Sequence, residues 1–406
     1  MSNVFSVLEI VPVNLDAWPI QFRGKKSRTK LMKTLSNRTL IFAVPIAAMV
    51  LIPMACLAQG PPPNQPDMSM DAKTKAEVIH TLAEKLKEQY VFPDIADKLA
   101  KMLEDRQAHG EYASITSAKE FSQLLTKQMR EIAHDAHLHV SYIYRLPPMP
   151  PLPNSGQAPE PPPQMLLWLK RDNYGFDEVQ RLSGNIGYLK LNGFTDAERG
   201  GDTVAGAMAF LANTDALIID LRENHGGSPE MVDLLASYFF SGNKPVHLND
   251  LSWRKEGTTE HDIQQWWTLP YVPGKRYVDK EVYILTSHRT PSAAEEFTYD
   301  LKVLKRAIVV GETTWGGANP GGIDRLGDHF MAFIPRGQAI NPITKTNWEG
   351  TGVEPDIKVP QADALRTAHQ TALQHLIEKT TDEQELNALK QALASVEAEP
   401  GQQQKR

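Results

Sequence analysis

The chain has 406 residues, 41% hydrophobic and 23% charged, a balance that excludes wholesale disorder and allows two or three domains. Its net charge of −6 divides into +5 on residues 1–58 and −11 on the rest, and an acidic body excludes a general nucleic-acid binder, whose phosphate contacts need a basic surface. A single cysteine, Cys56, excludes an intramolecular disulfide framework and any multi-cysteine zinc or iron–sulfur centre.

Residues 40–57 form an apolar run interrupted by Pro45 and Pro53, with Lys25, Lys26, Arg28, Lys30, Lys33 and Arg38 on its N-terminal side. A basic flank, an apolar stretch and the small exit residues Cys56 and Ala58 predict an export signal over residues 1–58, cleaved after Ala58. The expected destination is periplasmic or extracellular, with membrane contact only through this segment. An uncleaved anchor is the alternative, since 18 residues is at the lower edge of a span. Met32-Lys33 would open a signal of ordinary length, so residues 1–31 are consistent with a mis-called start.

After a linker over 59–72, apolar residues recur at helical spacing over 73–90, 93–106 and 117–133. Ser117 and Glu120 have the spacing of a capping box. Residues 73–145 thus read as a helical subdomain. The proline-dense stretch 146–164 reads as an extended linker. From residue 185 the texture changes to apolar strands (186–191, 216–221, 282–286, 307–310) alternating with helices (229–240, 291–302). The predicted class is α/β, with a mainly parallel sheet whose faces are both covered. The site belongs at the carboxyl ends of those strands, in a domain spanning 165–360. Residues 361–406 read as a charged helical tail, and 241–276 as a lid or a long connection.

Two of these strand ends carry chemistry. The strand 282–286 feeds Ser287-His-Arg-Thr-Pro-Ser-Ala-Ala-Glu-Glu-Phe297, where Pro291 suits a first helical position and Ser292 falls in the first turn. A serine there can attack a carbonyl while the Ala293 N–H faces the developing oxyanion. The same residues, Ser292 to Glu295, also match a plain capping box. The other strand ends in Asp220-Leu-Arg-Glu-Asn-His-Gly-Gly227, whose Gly226 is a candidate second oxyanion donor. The base is sought in the cluster His134, His137, His139, with His225 and His288 as competitors. Glu349, Glu354 and Asp135 compete to orient it, while Glu295 and Glu296 read as capping and solvating residues.

Taken together these segments resemble the C-terminal processing peptidases. Asp220–Gly227 is similar to their "DLRxNxGG", Thr286–Phe297 to their nucleophile turn, Ala307–Gly317 to their "RA.vvGe.TfGkG" and Gly352–Ile357 to their closing "GV.PDi", in the same order. The resemblance implies a serine peptidase with a ClpP/crotonase-like catalytic domain, no cofactor, no metal, and a peptide or protein substrate. The dyad lysine of that family would fall at Gly317, and the proline segment leaves no room for the inserted PDZ domain. Both departures resemble the PDZ-less branch of the tricorn-protease core and the interphotoreceptor retinoid-binding protein. That branch implies Ser292 as nucleophile, His137 as base, Glu349 as orienting acid, and Ala293 with Gly226 as oxyanion donors. Ala136 stands where the branch has a helper serine.

Two rival readings remain. Asp135-Ala-His-Leu-His139 resembles the opening of a zinc amidohydrolase barrel, with His137 and His139 sharing the metal. A non-catalytic binder of peptides or apolar ligands would use the same scaffold, with Trp266, Trp267, Trp315 and Trp348 near its site.

Overall fold

The computed structural model describes residues 65–146 and 161–398. The expected export signal, and all but the ends of the linker expected over 146–164, lie outside the described residues. Among the described residues no helix is long and apolar enough to cross a membrane.

Three helices come first, Ala72–Gln89, Pro93–Ala108 and Ala118–Ala133. They start where side chains can hold the free amides of a first turn: Asp71 accepts from Thr74 N, and Ser117 Oγ from Glu120 N. The third helix ends at His134, whose left-handed φ of 51° turns the chain into strand β1, His139–Tyr142. Further on come the helix Pro163–Arg171, β2 (Phe176–Leu182), β3 (Ile186–Leu191), the helix Ala197–Leu211 and β4 (Ala216–Asp220). The helix Pro229–Ser237, the hairpin β5 (His247–Arg254) and β6 (His261–Trp267), β7 (Glu281–Thr286) and the helix Ala293–Val303 follow. The chain closes with β8 (Ile308–Gly311), β9 (Gly321–Arg325), β10 (Phe330–Pro335), β11 (Gly337–Ile340), β12 (Ile357–Lys358) and the helices Gln361–Lys379 and Glu383–Ala398.

The central sheet has the order β12-β8-β7-β4-β3-β2, parallel throughout except for the β2–β3 pair. This is an α/β fold with a mainly parallel sheet, an open one and not the (β/α)₈ barrel that the zinc reading required. Strand β4 shows why. Leu217 and Ile219 point into one apolar layer with the helices Ala197–Leu211, Pro229–Ser237 and Ala293–Val303. Ala216 and Ile218 point into the opposite layer, against Ala364, Ala368, Ala372 and Leu373. The helix Gln361–Lys379, expected as part of a tail, is the cover of that second face.

Two smaller antiparallel sheets complete the fold. The order β11-β5-β6 shows that residues 241–276 are largely a paired hairpin, and none of them lines the main cleft. The order β1-β10-β9 joins the helical region to the α/β region. His139 pairs with Phe333 and Tyr142 with Phe330. Leu82, Leu99, Phe121 and Leu125 of the three helices share one core with Phe330, Ala332 and Ile334.

One polar cluster lies inside the first apolar layer. Asp233, Glu296 and Asp300 are 8%, 8% and 1% exposed, on two helices packed together, with Asn249 donating to Glu296 and Asn341 to Asp300. Burial, and the neighbouring carboxyls, push Asp233 up to about 8 and Glu296 up to about 7, with Asp300 also raised. Each raised group keeps its proton in the folded chain and loses it when unfolded, so the native state binds more protons above the ordinary carboxyl pKa of about 4. The stability these groups contribute is complete below that value and is lost as pH rises through about 7 to 8. The Tm should therefore fall between pH 5 and pH 9. Asp233→Asn should flatten the decline and raise Tm at pH 8 by about 2–4 °C, measured by calorimetry.

Candidate active site

The parallel register of β4 and β7 places their carboxyl ends side by side, with Asp220 opposite Leu285. The loops beyond are tied together: Leu221 N donates to Leu285 O, Thr290 Oγ1 to Leu221 O and Ser287 Oγ to Arg222 O. This brings Gly226 against the serine turn. A methyl group added to Gly226, whose φ is +80°, would lie 3.1 Å from Ser292 Cβ and 3.6 Å from Ala293 N.

Ser292 is the N-cap of the Ala293–Val303 helix rather than a first-turn residue, and Pro291 precedes the helix. The sequence expectation placed both two positions too far in. The cause is the turn, because Ser292 adopts φ 52° and ψ −121°, a strained conformation that presents the side chain at the sheet's edge. The Ala293 amide, first in its helix, has no helical acceptor. The Gly226 N–H, the expected second oxyanion donor, is already held by Asn224 Oδ1 at 2.7 Å.

Glu295 holds the turn in place. Its Oε2 accepts from Ser292 N (2.9 Å) and Gly317 N (2.9 Å), and its Oε1 from Thr314 Oγ1 (2.5 Å) and Gly316 N (2.6 Å). Glu295 is fully buried, and burial pushes its carboxyl up to about 7 against the pull of those four donors. The capping reading of Glu295 missed this role, and the solvating reading of Glu296 is overturned by its burial.

Ser292 and His137 line one cleft of about 1470 Å³, together with Asn224, Arg130, Trp315 and Phe333. His225 and His288 also line it, both exposed, and His288 is paired with Glu312 at 2.9 Å. Ser292 and His137 are not hydrogen-bonded to each other, a looseness common before substrate binds. The His137 ring rests edge-on to Trp315 with centroids 5.0 Å apart, and 5.5 Å from Phe333. A methyl group on Gly317 would lie 2.6 Å from His137 Cε1 and 2.4 Å from the Trp315 ring. The position that carries a lysine in the resembling dyad enzymes therefore has no space for a side chain, because an imidazole and an indole fill it.

His137 is 7% exposed, and burial, aided by His139 and Arg130, lowers its pKa to about 3. The imidazole is thus neutral, the form able to take a proton. Its Nδ1 is buried without a hydrogen-bond partner. One nitrogen of the ring and carboxyl oxygens of Asp135 and Glu349 lie within 4.8 Å of one another, the one such group among the described residues close enough to share a cation. Those carboxyl oxygens are committed to other donors. Glu349 accepts from Ala136 N, Ala318 N and Asn319 N at 2.5–3.1 Å, and Asp135 from His137 N, Tyr90 and Asn319 at 3.0–3.2 Å. Glu354, the other candidate acid, is exposed. His139 does not share a ligand space with His137; its Nδ1 meets the His137 carbonyl at 2.7 Å. Of the four tryptophans only Trp315 lines the cleft; Trp348 is buried and donates to Gly317 O.

The packing around Gly317 gives a direct test. Gly317→Ala should cost about 1–3 kcal/mol by overpacking. Gly206→Ala, exposed in a helix with nothing near it, should stabilise by about 0.5–1 kcal/mol. Denaturant midpoints of the two variants, measured side by side, check both signs.

Residues 185–359 match the family model described as Peptidase family S41, and residues 72–168 match the N-terminal domain of Peptidase_S41 in eukaryotic IRBP. A probable CtpA-like serine protease of Staphylococcus epidermidis is 26% identical over 215 residues, covering 52% of this chain and 42% of that protein. The chloroplastic carboxyl-terminal-processing peptidase 2 of Arabidopsis thaliana is 28% identical over 185 residues, covering 44% and 33%. The chain thus spans less than half the length of the curated relatives it matches. Among solved structures, a lipoprotein from Streptococcus agalactiae aligns with a TM-score of 0.46 and 16% identity, covering 74% of this chain and 96% of that one.

Proposed function

We propose, from the premise that this chain belongs to peptidase family S41, that it hydrolyses peptide bonds with Ser292 as nucleophile and His137 as base. The observation that carries this reading is the filled space at Gly317. A Ser–Lys dyad has no lysine to use there, and the group occupying the space is a neutral imidazole on the same cleft as the strained serine.

The steps follow from the groups at hand. His137 takes the proton from Ser292 Oγ as that oxygen bonds to the substrate carbonyl carbon. The carbonyl oxygen becomes an oxyanion facing the Ala293 N–H at the head of its helix. Gly226 supplies a second amide if substrate displaces Asn224 Oδ1 from it. As the tetrahedral centre collapses, His137 returns the proton to the departing amine, leaving an acyl ester on Ser292. Water then attacks the ester, with His137 again taking and returning the proton. Glu349, near the ring and held by three backbone amides, orients the imidazole. Ala136 offers no hydroxyl, and its amide is instead one of the three that fix Glu349.

The substrate is a peptide or protein segment lying between the helix Ala118–Ala133 and the 223–225 and 288–292 loops, and the signal-like residues 1–58 direct the enzyme to an exported compartment. A fluorophosphonate probe should label Ser292, mapped by peptide mass. Ser292→Ala should abolish labelling and lower peptide turnover by at least about 10³-fold with Tm unchanged. Full turnover by the alanine variant would remove Ser292 from the mechanism.

A further inference from the structure

Asp135 has no part in the steps above, yet one of its carboxyl oxygens lies within 4.8 Å of a His137 ring nitrogen. It is 2% exposed. Its Oδ1 accepts the backbone N–H of His137 itself, while its Oδ2 accepts from Tyr90 Oη and Asn319 Nδ2. Glu349 grips the neighbouring amide, that of Ala136. A buried and a half-buried carboxyl thus hold the two ends of one dipeptide, and both come within 4.8 Å of the ring nitrogen of His137. Two such groups in a dry pocket cannot both ionise cheaply, since each charge opposes the other. The charged and titratable groups facing the pair are Arg130, His137, His139 and Tyr90. Arg130 is the one cation, and its hydrogen bonds go to the carbonyls of Ala136 and Leu138, not to either carboxyl.

We propose that Asp135 and Glu349 share one proton and act as a single orienting pair for His137, with Asp135 a positioning residue of the base. Burial raises both groups, Glu349 to about 7 with the Asp135 charge as the next cause. The pair titrates as a unit. Below its upper ionisation it carries one negative charge. Above it the second proton leaves, the negative charge beside the ring doubles, and the imidazole becomes a stronger base.

This inference rests on the peptidase reading only for its kinetic arm. In that arm the rate of fluorophosphonate labelling of Ser292 is followed from pH 5 to pH 9 in the full chain. It should climb through about pH 7 in the wild type. Asp135→Asn and Glu349→Gln should each move that limb to lower pH, because either change leaves one carboxyl without the partner's charge that helps to raise it. A limb near pH 7 that persists in both variants, with only the plateau lowered, would mean an imidazole titration and would overturn the pair. The second arm needs no activity. In Ser292→Ala protein at pH 6, the infrared C=O band of a protonated carboxyl should lose intensity equivalent to one acid on adding either Asp135→Asn or Glu349→Gln. An unchanged band in both overturns the shared proton. If the wild type fails to label at all while the band behaves as expected, the peptidase reading falls and the pair stands.

Discussion

The carboxylate of Glu295 is the junction on which the arrangement depends. It binds the amide of the strained Ser292 to the Thr314–Gly317 loop, and that loop is the floor beneath His137. Removing it would leave four buried donors unpaired, each at about 1–3 kcal/mol. A serine in an unfavourable backbone conformation persists only where its surroundings over-determine it. Glu295 does so from one side, and the tie between the 221–227 and 287–290 loops does so from the other. Gly317 is fixed at both ends, its N–H by Glu295 and its carbonyl by Trp348. Ser292 and the seat of His137 therefore move together or not at all.

The cleft and the layer behind it bury more carboxyl groups than cations. Glu295 and Asp135, with the half-buried Glu349, surround the cleft, and Asp233, Glu296 and Asp300 lie on or behind the Ala293–Val303 helix. Their raised pKa values share a cause in desolvation, and all act in the same direction on stability, favouring the folded state in mild acid. The two groups differ in what they hold. The site carboxyls are saturated with amide donors and shape a loop. The rear cluster leaves Asp233 Oδ1 and Asp300 Oδ2 without partners, a cost consistent with retained protons.

Much of this was readable from the residues. Continuous apolar strands and helical spacing place β3, β4, β7, β8 and the first three helices within a residue or two. Strands β5 and β2 escaped because each has a register shift, at His247/Asn249 and Phe176/Glu178, which breaks the alternation that betrays a strand. The histidine cluster is legible as a helix-to-strand change, but the partner of β1 is not, because β10 is almost 200 residues away and pairing over that distance leaves no local mark. Ser292, His137, Ala293 and Gly226 were legible as residues, and the structure gathers them about one cleft. The role of Glu295 was not, since Ser-Ala-Ala-Glu is written identically for an exposed cap and for a buried clamp. Asp135 was weighed as an alternative to Glu349, whereas the fold sets both beside the ring.

The pairing of β1 with β10 has a consequence for when the cleft is completed. On a growing polypeptide the Ser292 turn and its Glu295 clamp can form once residue 317 has emerged, but the strand that seats the histidine segment waits for residues 330–335. Glu349 arrives later still, and the cover of the second sheet face after that. Ribosome-bound or prematurely ended chains would hold the Ser292 turn with no His137 ring seated across the cleft from it. The two halves of the cleft are in this way completed only when synthesis is nearly done.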